Sequence, residues 1–392
     1  MERLETRNVI IGAGAMGAAT AYHLSRRGAP FVLIEQFAVG HDRGSSHGAA
    51  RITRHSYGDW TYARLMPAAF RAWRDLEADS GECIYVRTGG VTFCWDRFDV
   101  VAQVAKCLDH LEVPHRRMSG REWRRIHPEF TLSESHDVVY EPDAGMLTAE
   151  KAVRLQVALA CRRSGGYGRL LEHTVVRRLD LEGPRPVVLT DSHHIVADRL
   201  IVTAGPWLRS LLSGLPLSLE VTRQQVLYLA PPDPAPYHVG RFPIFIYHGP
   251  EAEDAFYGMP LFLGLGVKVA RHGGPPTAPE KVDRTISEQD RSVVREFLRW
   301  SLPALADAPV SQTEVCLYTV ARDERFLLDF YPGRPDVLIA SPCSGHGFKF
   351  SCLIGSILAD LSTEGRTDHA IDEWSLRCHR GMSSPPAEES MT

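Results

Sequence analysis

A glycine-rich turn near the N-terminus constrains this chain more than any other feature. An apolar run that ends at Ile11 leads into Gly12-Ala13-Gly14-Ala15-Met16-Gly17, and a helix-like segment follows. A second apolar run, Phe31-Val32-Leu33-Ile34, is closed by Glu35. Together, the strand, the G-x-G-x-x-G turn, the helix and the second strand with its terminal acid predict a dinucleotide-binding βαβ unit.

The residues of this turn have separate expected functions. Gly12 makes the tight turn, Gly14 lets the backbone approach a pyrophosphate, and Gly17 lets the helix pack on the strand. The pyrophosphate would lie at the helix N-terminus, where unpaired N–H groups point at it. Glu35 would accept hydrogen bonds from ribose hydroxyls and repel a 2′-phosphate. The motif alone does not choose between NAD and FAD, and a βαβ unit without a ligand is the alternative.

Length and composition indicate a globular protein of two domains. The chain has 392 residues, of which 44% are apolar and 23% are charged. The net charge of −4 predicts no general attraction to nucleic acid or to anionic membranes. Eight scattered cysteines without framework spacing, and the lack of a signal-peptide or membrane-spanning pattern, predict a cytoplasmic location. No zinc pattern occurs among the 17 histidines, so no metal is expected.

Apolar periodicity places the remaining elements approximately. Helices are predicted over residues 62–76, 100–111, 148–163, 288–302 and 350–361, with Thr148 as the N-cap of the third. Residues 86–95 are predicted as one strand or a hairpin, 40–58 as a loop, and 219–320 as an antiparallel sheet. The strand at 199–202 ends in a second glycine turn, which predicts that the chain returns to the opening sheet.

A third glycine turn follows the buried strand predicted at residues 337–340. Its sequence is Ser344-Gly345-His346-Gly347-Phe348-Lys349, and a helix is predicted after it. Gly345 and Gly347 offer close backbone approach and N–H donors at a strand end, where open α/β sheets bind ligands. A plain strand-to-helix turn is the alternative.

Several of these motifs, in this order, resemble one family. They are similar to monomeric sarcosine oxidase and N-methyltryptophan oxidase, FAD-dependent amine oxidases of the D-amino-acid oxidase superfamily, and the resemblance covers about residues 7–375. The segments that carry it are 12–17, Gly44-Ser45-Ser46-His47-Gly48, 51–58, Tyr257-Gly258-Met259-Pro260, Gly266-Val267-Lys268, Val315-Cys316-Leu317-Tyr318-Thr319 and 344–350. The resemblance implies FAD rather than NAD as the cofactor.

The resemblance also implies a fold of the α/β and α+β type. A Rossmann-like FAD-binding domain would comprise residues 1–85, 145–218 and 325–392, of which 383–392 read as a loose tail. Residues 86–144 and 219–324 would form a substrate domain whose large antiparallel sheet covers the flavin. A monomer is expected.

A set of FAD contacts follows from the same resemblance. It comprises Gly12, Gly14, Met16, Gly17, Glu35, Ser45, His47, Arg51, Val176, Cys316, Gly345, His346, Gly347 and Lys349. Cys316 would carry the flavin through a thioether to its 8α-methyl group. Without the resemblance, a cysteine in a β-rich stretch is more often a small buried hydrophobe.

The catalytic positions implied by the resemblance have a physical rationale. Lys268 would lie near flavin N5, where a fixed cation stabilises the negative charge that O2 acquires on reduction. Arg54 and Lys349 would bind the substrate carboxylate, one as a planar fork and the other as a point charge. Three pocket residues would orient the amine, namely Tyr257, His272 and Tyr318. A solvated strand lysine is the alternative for Lys268, and a surface ion pair is the alternative for Arg54 and Lys349. A structural role is the alternative for His272, and no general base is assigned.

The expected reaction is oxidation of an N-methyl or cyclic secondary α-amino acid by O2, which gives an imine and hydrogen peroxide. An N-methyl imine would hydrolyse to formaldehyde and the primary amino acid. The chain departs from the family at Ala49-Ala50, at Cys343 and in the segment 246–256, which lines the substrate side. Three alternatives stay open: an oxidase of a larger amino acid or biosynthetic intermediate, an NAD-dependent dehydrogenase, and a flavin-binding protein without turnover.

Overall fold

The fold begins with the predicted βαβ unit. In the computed structural model, strand β1 (Glu2–Ile11), helix α1 (Ala15–Arg26) and strand β2 (Phe31–Ile34) follow one another. The two strands are parallel, with Ile11 opposite Ile34. All four residues of β2 are buried, as expected for a parallel strand that is covered on both faces.

The structure describes residues 1–251 and 254–379, and the predicted tail 383–392 lies outside them. Within the described residues the further strands are β3 (Ala50–Thr53), β4 (Tyr85–Arg87), β5 (Gly90–Trp95), β6 (Arg116–Ser119), β7 (His136–Glu141), β8 (Gly145–Thr148), β9 (Gly168–Leu171), β10 (Val176–Asp180), β11 (Val187–Thr190), β12 (His193–Val202), β13 (Leu219–Leu229), β14 (Ile244–His248), β15 (Phe256–Met259), β16 (Val267–Arg271), β17 (Val310–Ala321), β18 (Leu327–Tyr331) and β19 (Arg334–Ser341). The further α-helices are α2 (Trp60–Ala63), α3 (Met66–Ser80), α4 (Val100–His110), α5 (Gly120–Ile126), α6 (Ala149–Ser164), α7 (Leu208–Leu211), α8 (Glu288–Ser301), α9 (Pro303–Ala306), α10 (Ser351–Glu364) and α11 (Leu376–His379).

The first large sheet has β1 near its centre. Its strand order is β10-β11-β12-β1-β2-β9. Strand β19 pairs with the C-terminal residues of β12, and β18 pairs with β19. Because β12 runs parallel to β1, with Ile201 opposite Ile10, the predicted return of the chain to the opening sheet is confirmed. Strand β19 continues the parallel order, with Leu338 opposite Ile201. The carboxyl ends of β1, β12 and β19 therefore lie at one edge, where doubly wound sheets bind ligands.

Helices α1 and α10 pack closely because both present small residues. A Cβ on Gly355 would lie 2.4 Å from the Cβ of Ala19, so only glycine fits at this crossing. Every residue of α1 except Arg26 is buried, between the sheet and its helical neighbours. This packing holds the start of α1 firmly at the sheet edge.

The second large sheet has the order β17-β13-β16-β15-β14-β5-β7-β6. Its pairs are antiparallel except that β14 runs parallel to β5. The predicted antiparallel sheet is therefore present, but strands from before residue 219 extend it. Helix α8 covers one face, where Phe297 stacks on Phe256 with ring centroids 4.3 Å apart.

Three local predictions were wrong for identifiable reasons. The predicted loop 40–58 contains β3, which pairs with β8 almost a hundred residues later, so no local pattern marks it. The predicted strand or hairpin at 86–95 is two strands in different sheets, since Gly89 turns the chain at a φ of 70°. The predicted helix 62–76 is divided between α2 and α3, because Pro67 has no N–H to continue the hydrogen bonds of a preceding turn and lies instead in the first turn of α3.

Thr148 lies at the N-cap position of α6, but its side chain makes no capping hydrogen bond. Its hydroxyl donates to the carbonyl oxygen of Ile84 at 3.3 Å instead. The predicted position of the cap is right and the predicted capping contact is wrong.

The two large sheets draw their strands from different parts of the chain. The first uses strands between residues 2–34, 168–202 and 327–341, and the second uses strands between 90–141 and 219–321. A small third sheet, β3-β8-β4, lies between these ranges in sequence. The predicted fold class is confirmed, and the exact domain boundaries stay a prediction. Across residues 1–251 and 254–379, the helices are too short or too polar to cross a membrane.

Candidate functional site

One cavity of about 1150 Å³ connects the edge of the first sheet with the inner face of the second. Most of the residues predicted for the site line it, namely Gly12, Gly14, Met16, Glu35, Ser45, Arg51, Arg54, Val176, Tyr257, Lys268, His272, Cys316, Tyr318, Gly345, His346, Gly347 and Lys349. Gly17 and His47 do not line it. The structure thus brings residues from the whole length of the chain to one place, and their individual roles remain predictions.

The turn after β1 requires glycine at two positions. Gly12 has a φ of 95°, and a Cβ there would lie 2.6 Å from the carbonyl oxygen of Thr203 on the neighbouring strand. A Cβ on Gly17 would lie 1.8 Å from the carbonyl oxygen of Gly12. Gly17 lies outside the cavity because its space is filled by the turn itself, in keeping with a packing role.

The mouth of this turn has the form of an anion cradle. Gly14 lines the cavity, and its nearest neighbour on the Cβ side is Ser46 Oγ, at 3.2 Å. Ser46 Oγ accepts a hydrogen bond from the Ala15 N–H at 3.0 Å and so fixes the loop against α1. Ser45 Oγ is buried and has no hydrogen-bond partner among the described residues. A helix N-terminus next to such a hydroxyl fits the pyrophosphate of a dinucleotide.

Glu35 supports the turn as well as facing the cavity. One carboxylate oxygen accepts from the Ala13 N–H at 2.8 Å, and the other accepts from the Phe37 N–H at 3.0 Å. A carboxylate held by two backbone donors is an acceptor of fixed orientation. The sequence predicted its role toward ribose, but the contact to Ala13 was not foreseen.

The third glycine turn joins the two ends of the cavity. Gly345 has a φ of 75°, and a Cβ there would lie 2.6 Å from the His272 ring and 2.7 Å from the Tyr318 ring. A Cβ on Gly347 would lie 1.8 Å from the Pro342 carbonyl oxygen and 3.4 Å from the methyl group of Met16. The turn therefore contacts the dinucleotide end on one side and the pocket residues on the other.

Arg51 and Lys268 converge on the carbonyl oxygen of Ala50. Arg51 Nη1 donates to it at 3.0 Å and Lys268 Nζ at 3.4 Å. Lys268 lies on β16 and is only 4% exposed. Burial, followed by the charge of Arg51, lowers the pKa of Lys268 to about 8, while Glu314 opposes the shift. The site therefore holds a lysine that changes its charge near neutral pH.

Cys316 is a buried free thiol on β17 and lines the same cavity. Burial raises its pKa, although the charges of Arg51 and Lys268 act in the opposite direction. Glu314, Cys316 and Tyr318 alternate along β17 and all line the cavity. Leu317 and Thr319 also line the cavity, but the spacing of two places Glu314 on the same strand face as Cys316 and could have identified Glu314, which the sequence analysis missed.

His47 lies behind the cavity wall rather than in it. Its carbonyl oxygen accepts from Arg51 Nη2 at 2.6 Å, so it orients the arginine. Burial and the charge of Arg51 lower the pKa of the His47 ring to about 3, so the ring is neutral. His47 does not line the cavity, and its contact with the flavin stays a prediction.

Arg54 and Lys349 form a cationic end of the cavity. Arg54 is 9% exposed and Lys349 is 6% exposed. Lys349 Nζ donates to Tyr57 Oη at 2.9 Å and to the His346 carbonyl oxygen at 2.8 Å, and the Arg54 guanidinium lies 4.5 Å from the Tyr57 ring centroid. Among the described residues, neither cation forms an ion pair, and Arg54 Nε has no hydrogen-bond partner.

The buried positive charges at this end of the cavity favour an anionic ligand. Burial, followed by the charge of Arg54, lowers the pKa of Lys349 well below its usual range. Burial also lowers the pKa of Arg54. Two buried cations without an anionic partner are unfavourable unless a ligand supplies the negative charge. Tyr57, which sequence analysis gave no role, links them and belongs to this site.

The pocket between the cationic end and Cys316 is lined by neutral polar rings. The rings of His272 and Tyr318 have centroids 5.3 Å apart. Burial and the charges of Lys349 and Arg54 lower the pKa of His272 to about 4. Burial raises the pKa of Tyr257 to about 12. His248, in the segment that departs from the family, also lines the cavity and was missed because β14 shows no motif around it.

The glycine turn can hold a dinucleotide and the cavity continues into a site for a small anion, an arrangement that fits a dinucleotide-dependent oxidoreductase. The family model described as FAD dependent oxidoreductase (DAO) matches residues 7–361. The chain belongs to this family. The cofactor is therefore FAD, and the nicotinamide alternative is set aside.

Relatives with established names match over nearly the whole chain. The monomeric sarcosine oxidase of Bacillus sp. (strain B-0618) is 32% identical over 377 residues, which is 94% of this chain and 95% of that protein. The N-methyl-L-tryptophan oxidase of Yersinia pestis (strain Pestoides F) is 28% identical, over 94% of this chain and 98% of that protein. The crystal structure of L-proline dehydrogenase from P. horikoshii superposes with a TM-score of 0.84 at 21% identity, covering 97% and 99% of the two chains. The resemblance predicted from the motifs is confirmed.

The residues around the cavity fit FAD. Gly12, Gly14, Ser45 and Glu35 would hold its pyrophosphate and ribose, and the wall with Arg51, Lys268 and Cys316 would face its isoalloxazine ring. Val176, at the start of β10, lines the cavity, and its role as a cofactor contact stays a prediction.

Proposed function

We propose that the protein is an FAD-dependent oxidase of a secondary α-amino acid, N-methylated or cyclic, which uses O2 and releases an imine and hydrogen peroxide. The observation that carries the proposal is the pair Arg54 and Lys349. These two buried cations lack an anionic partner among the described residues and share one cavity with Lys268 and Cys316. The names of the relatives, sarcosine oxidase and N-methyl-L-tryptophan oxidase, support a substrate of this class.

Arg54 and Lys349 would bind the substrate through its carboxylate. The guanidinium offers a planar fork of donors, and the ammonium adds a compact charge. Tyr57 Oη already accepts from Lys349 and holds its Nζ in place. A bound carboxylate would remove the electrostatic penalty of both cations, which favours ligands that carry one.

The same cations would favour the reactive form of the amine. An ammonium group near Arg54 and Lys349 experiences repulsion, so its pKa falls and the neutral amine becomes more populated. Tyr257, His272 and Tyr318 are uncharged near neutral pH and can hydrogen-bond the amine without adding charge. They would orient its lone pair and the neighbouring C–H bond.

When bound, FAD would supply a two-electron acceptor for a hydride equivalent from the carbon next to nitrogen, and it would be reoxidised by O2. The amine loses this hydride equivalent and one proton and becomes an imine, while O2 gains two electrons and two protons and becomes hydrogen peroxide. Protonated Lys268 would stabilise the negative charge that O2 acquires. Water would hydrolyse an N-methyl imine to formaldehyde and the primary amino acid.

The proposal includes a covalent bond between Cys316 and the flavin. Its burial, its place on the cavity wall and its two cationic neighbours support this role. Cys343 is a matched control because it is also a free cysteine that lines the cavity. In Cys316→Ala the yellow colour should pass into the supernatant on acid precipitation, whereas in wild type and Cys343→Ala it should stay in the pellet. Colour that stays with the Cys316→Ala pellet would place the attachment elsewhere.

The reaction is tested on the yellow holoenzyme with sarcosine, N-methyltryptophan and pipecolate. Peroxide release with one of them, together with anaerobic bleaching of the flavin, is the expected result.

An oxidase of a larger amino acid is the second candidate, favoured by His248 and Pro250, two residues of the segment 246–256 that line the cavity. Bleaching by larger amino acids alone would select it. A colourless protein, or flavin that no amino acid reduces, would contradict the proposal.

The remaining parts of the proposal concern assembly and location. We propose that the protein acts as a monomer in the cytoplasm and that its FAD-binding and substrate domains have the boundaries predicted from the sequence. Light scattering of the holoenzyme would give a mass near 43.7 kDa for a monomer. A mass of twice this value would contradict it.

A further inference from the structure

A buried carboxylate outside the cavity anchors the segment that carries the cationic end. Glu141, the last residue of β7, is 1% exposed. Its oxygens accept from the His55 N–H at 2.9 and 3.0 Å and from the Ser56 N–H at 3.0 Å. Its Oε1 also lies 2.6 Å from His55 Nδ1. One side chain of the second sheet thus satisfies two consecutive backbone donors and an imidazole.

The anchored residues lie between two residues of the site. Arg54 precedes His55, and Tyr57 follows Ser56, so the two side chains that meet in the cavity flank the anchor on either side. The Tyr57 N–H donates to the His55 carbonyl oxygen at 2.7 Å and closes a tight turn. The position of both side chains therefore depends on where the backbone of 55 and 56 is held.

The imidazole of His55 is held from both sides. Phe70 of α3 stacks on it with ring centroids 4.0 Å apart and an angle of 8° between the planes. Glu141 binds its edge. A ring held by a stack and a charged hydrogen bond has little freedom to turn. Helix α3 and strand β7, which belong to different parts of the fold, meet through this residue.

The anchor also explains how Arg54 stays available. Burial lowers the pKa of Arg54, and Tyr57 and then Glu141 act in the opposite direction. Both oxygens of Glu141 are nevertheless engaged by His55 and Ser56, and no ion pair with Arg54 forms among the described residues. A direct ion pair would occupy the guanidinium and compete with a ligand. Here the carboxylate offsets only part of the cost of burying the charge and leaves the guanidinium without an ion pair in the described part of the chain.

We propose that Glu141 and His55 form a positioning pair, which holds Arg54 and Tyr57 in the geometry that binds the substrate carboxylate. This inference rests on the proposed function, since it assigns the pair to the same carboxylate site. It predicts that loss of the pair weakens carboxylate binding and leaves the later chemical steps intact.

The test uses the holoenzyme and the visible flavin spectrum, titrated with benzoate and with uncharged benzamide. In Glu141→Gln, we expect the Kd of benzoate to rise about tenfold and the Kd of benzamide to stay within about twofold. KM for the amino acid should rise about tenfold, with kcat within about twofold of wild type. A general loss of structure would instead change the Kd of benzoate, the Kd of benzamide and kcat together.

Glu77→Gln is the matched control. Glu77 also accepts two consecutive backbone N–H groups, those of Ile84 at 2.7 Å and Tyr85 at 2.8 Å, and it does not line the cavity. It should leave the benzoate titration unchanged. His55→Phe keeps the stack on Phe70 and the backbone hydrogen bonds to Glu141, and it removes only the hydrogen bond between the imidazole and Glu141. It should therefore raise the benzoate Kd about threefold. This second variant decides the question if Glu141→Gln fails to fold.

The outcomes separate this inference from the proposed function. A benzoate Kd that rises in Arg54→Met but not in Glu141→Gln or His55→Phe overturns the positioning pair alone. Wild-type protein that binds benzoate no better than benzamide, with Arg54→Met the same, overturns the carboxylate site and the pair with it. A rise in Glu141→Gln that benzamide and Glu77→Gln do not share supports the inference.

Discussion

The two ends of the cavity are built in different ways. At the dinucleotide end, the wall includes a glycine turn in which Gly12 and Gly17 have no room for a Cβ, and residues from 174–181 and 203–214 extend the lining. At the cationic end, the wall is made of side chains, among them Arg54 and Lys349, which lie almost three hundred residues apart. The first end excludes side chains, whereas the second concentrates charge.

This difference indicates how each end recognises its ligand. A backbone cradle at a helix N-terminus suits a phosphate group, whatever the rest of the molecule carries. Unpaired buried cations instead select by charge, because a neutral ligand would leave their electrostatic cost uncompensated. We therefore expect substitutions at the two ends to separate retention of the flavin from binding of the amino acid.

The largest effect is expected from Gly17→Ala at the dinucleotide end. The added Cβ would lie 1.8 Å from the Gly12 carbonyl oxygen, and neither backbone segment can move without displacing the turn. We expect a loss of about 3 kcal/mol in the free energy of unfolding and a protein without bound flavin. Thermal unfolding and the absorbance ratio of flavin to protein measure both effects.

The control for this substitution is Gly183→Ala in an exposed turn. Its nearest atom on the Cβ side is 3.8 Å away, and its φ is not in the left-handed region. This variant should keep its flavin and its melting temperature. If Gly17→Ala were equally yellow and stable, the dinucleotide end would not depend on a backbone cradle.

Arg54→Met tests the cationic end, with a smaller and more specific effect. Loss of the charged hydrogen bonds to a carboxylate should lower kcat/KM about 100-fold, or by about 3 kcal/mol. Most of the change should appear in KM, and the flavin content should not change. Arg121→Met, on the exposed face of α5, serves as the control for removing a cation. A loss of flavin with unchanged KM would show that Arg54 belongs to the cofactor site instead.

The same contrast explains what sequence reasoning could reach. The opening unit was predictable because its strand, turn, helix and acid are consecutive, and the structure adds only that Glu35 also binds the Ala13 N–H. Lys268, Arg54 and Lys349 have no local signature, and only the resemblance to a family brought them together. Their common cavity is a product of the sheet topology.

Elements that depend on distant partners were missed. Strand β3 has only four residues, and it exists because β8 pairs with it. Glu141 lies 86 residues from His55 in sequence, so no spacing rule connects them. Tyr57 stood within a recognised motif, but its contact with Lys349 spans 292 residues. Periodicity and capping rules describe neighbours along the chain, and these contacts are between neighbours in space.

The smallest expected effect concerns Lys268, which lies between the two ends. Because its pKa is lowered to about 8, Lys268 is charged below that pH and neutral above it. If its charge assists the reduction of O2, the rate constant for reoxidation of the reduced flavin should fall as the pH rises. Between pH 7 and pH 9 the protonated fraction falls about tenfold, and the rate constant should fall by the same factor. Stopped-flow mixing of the reduced enzyme with O2 measures it.

Lys268→Met provides the comparison for this pH profile. Its reoxidation should be slow at every pH, and the step near pH 8 should be absent, because no charge remains to be lost. The rate of flavin reduction by the amino acid is measured without O2. In Lys268→Met it should keep the pH dependence that carboxylate binding gives it in the wild type. A step near pH 8 that persists in Lys268→Met would assign the titration to another group, and the oxygen site would then have to be sought elsewhere on the wall around Arg51 and Cys316.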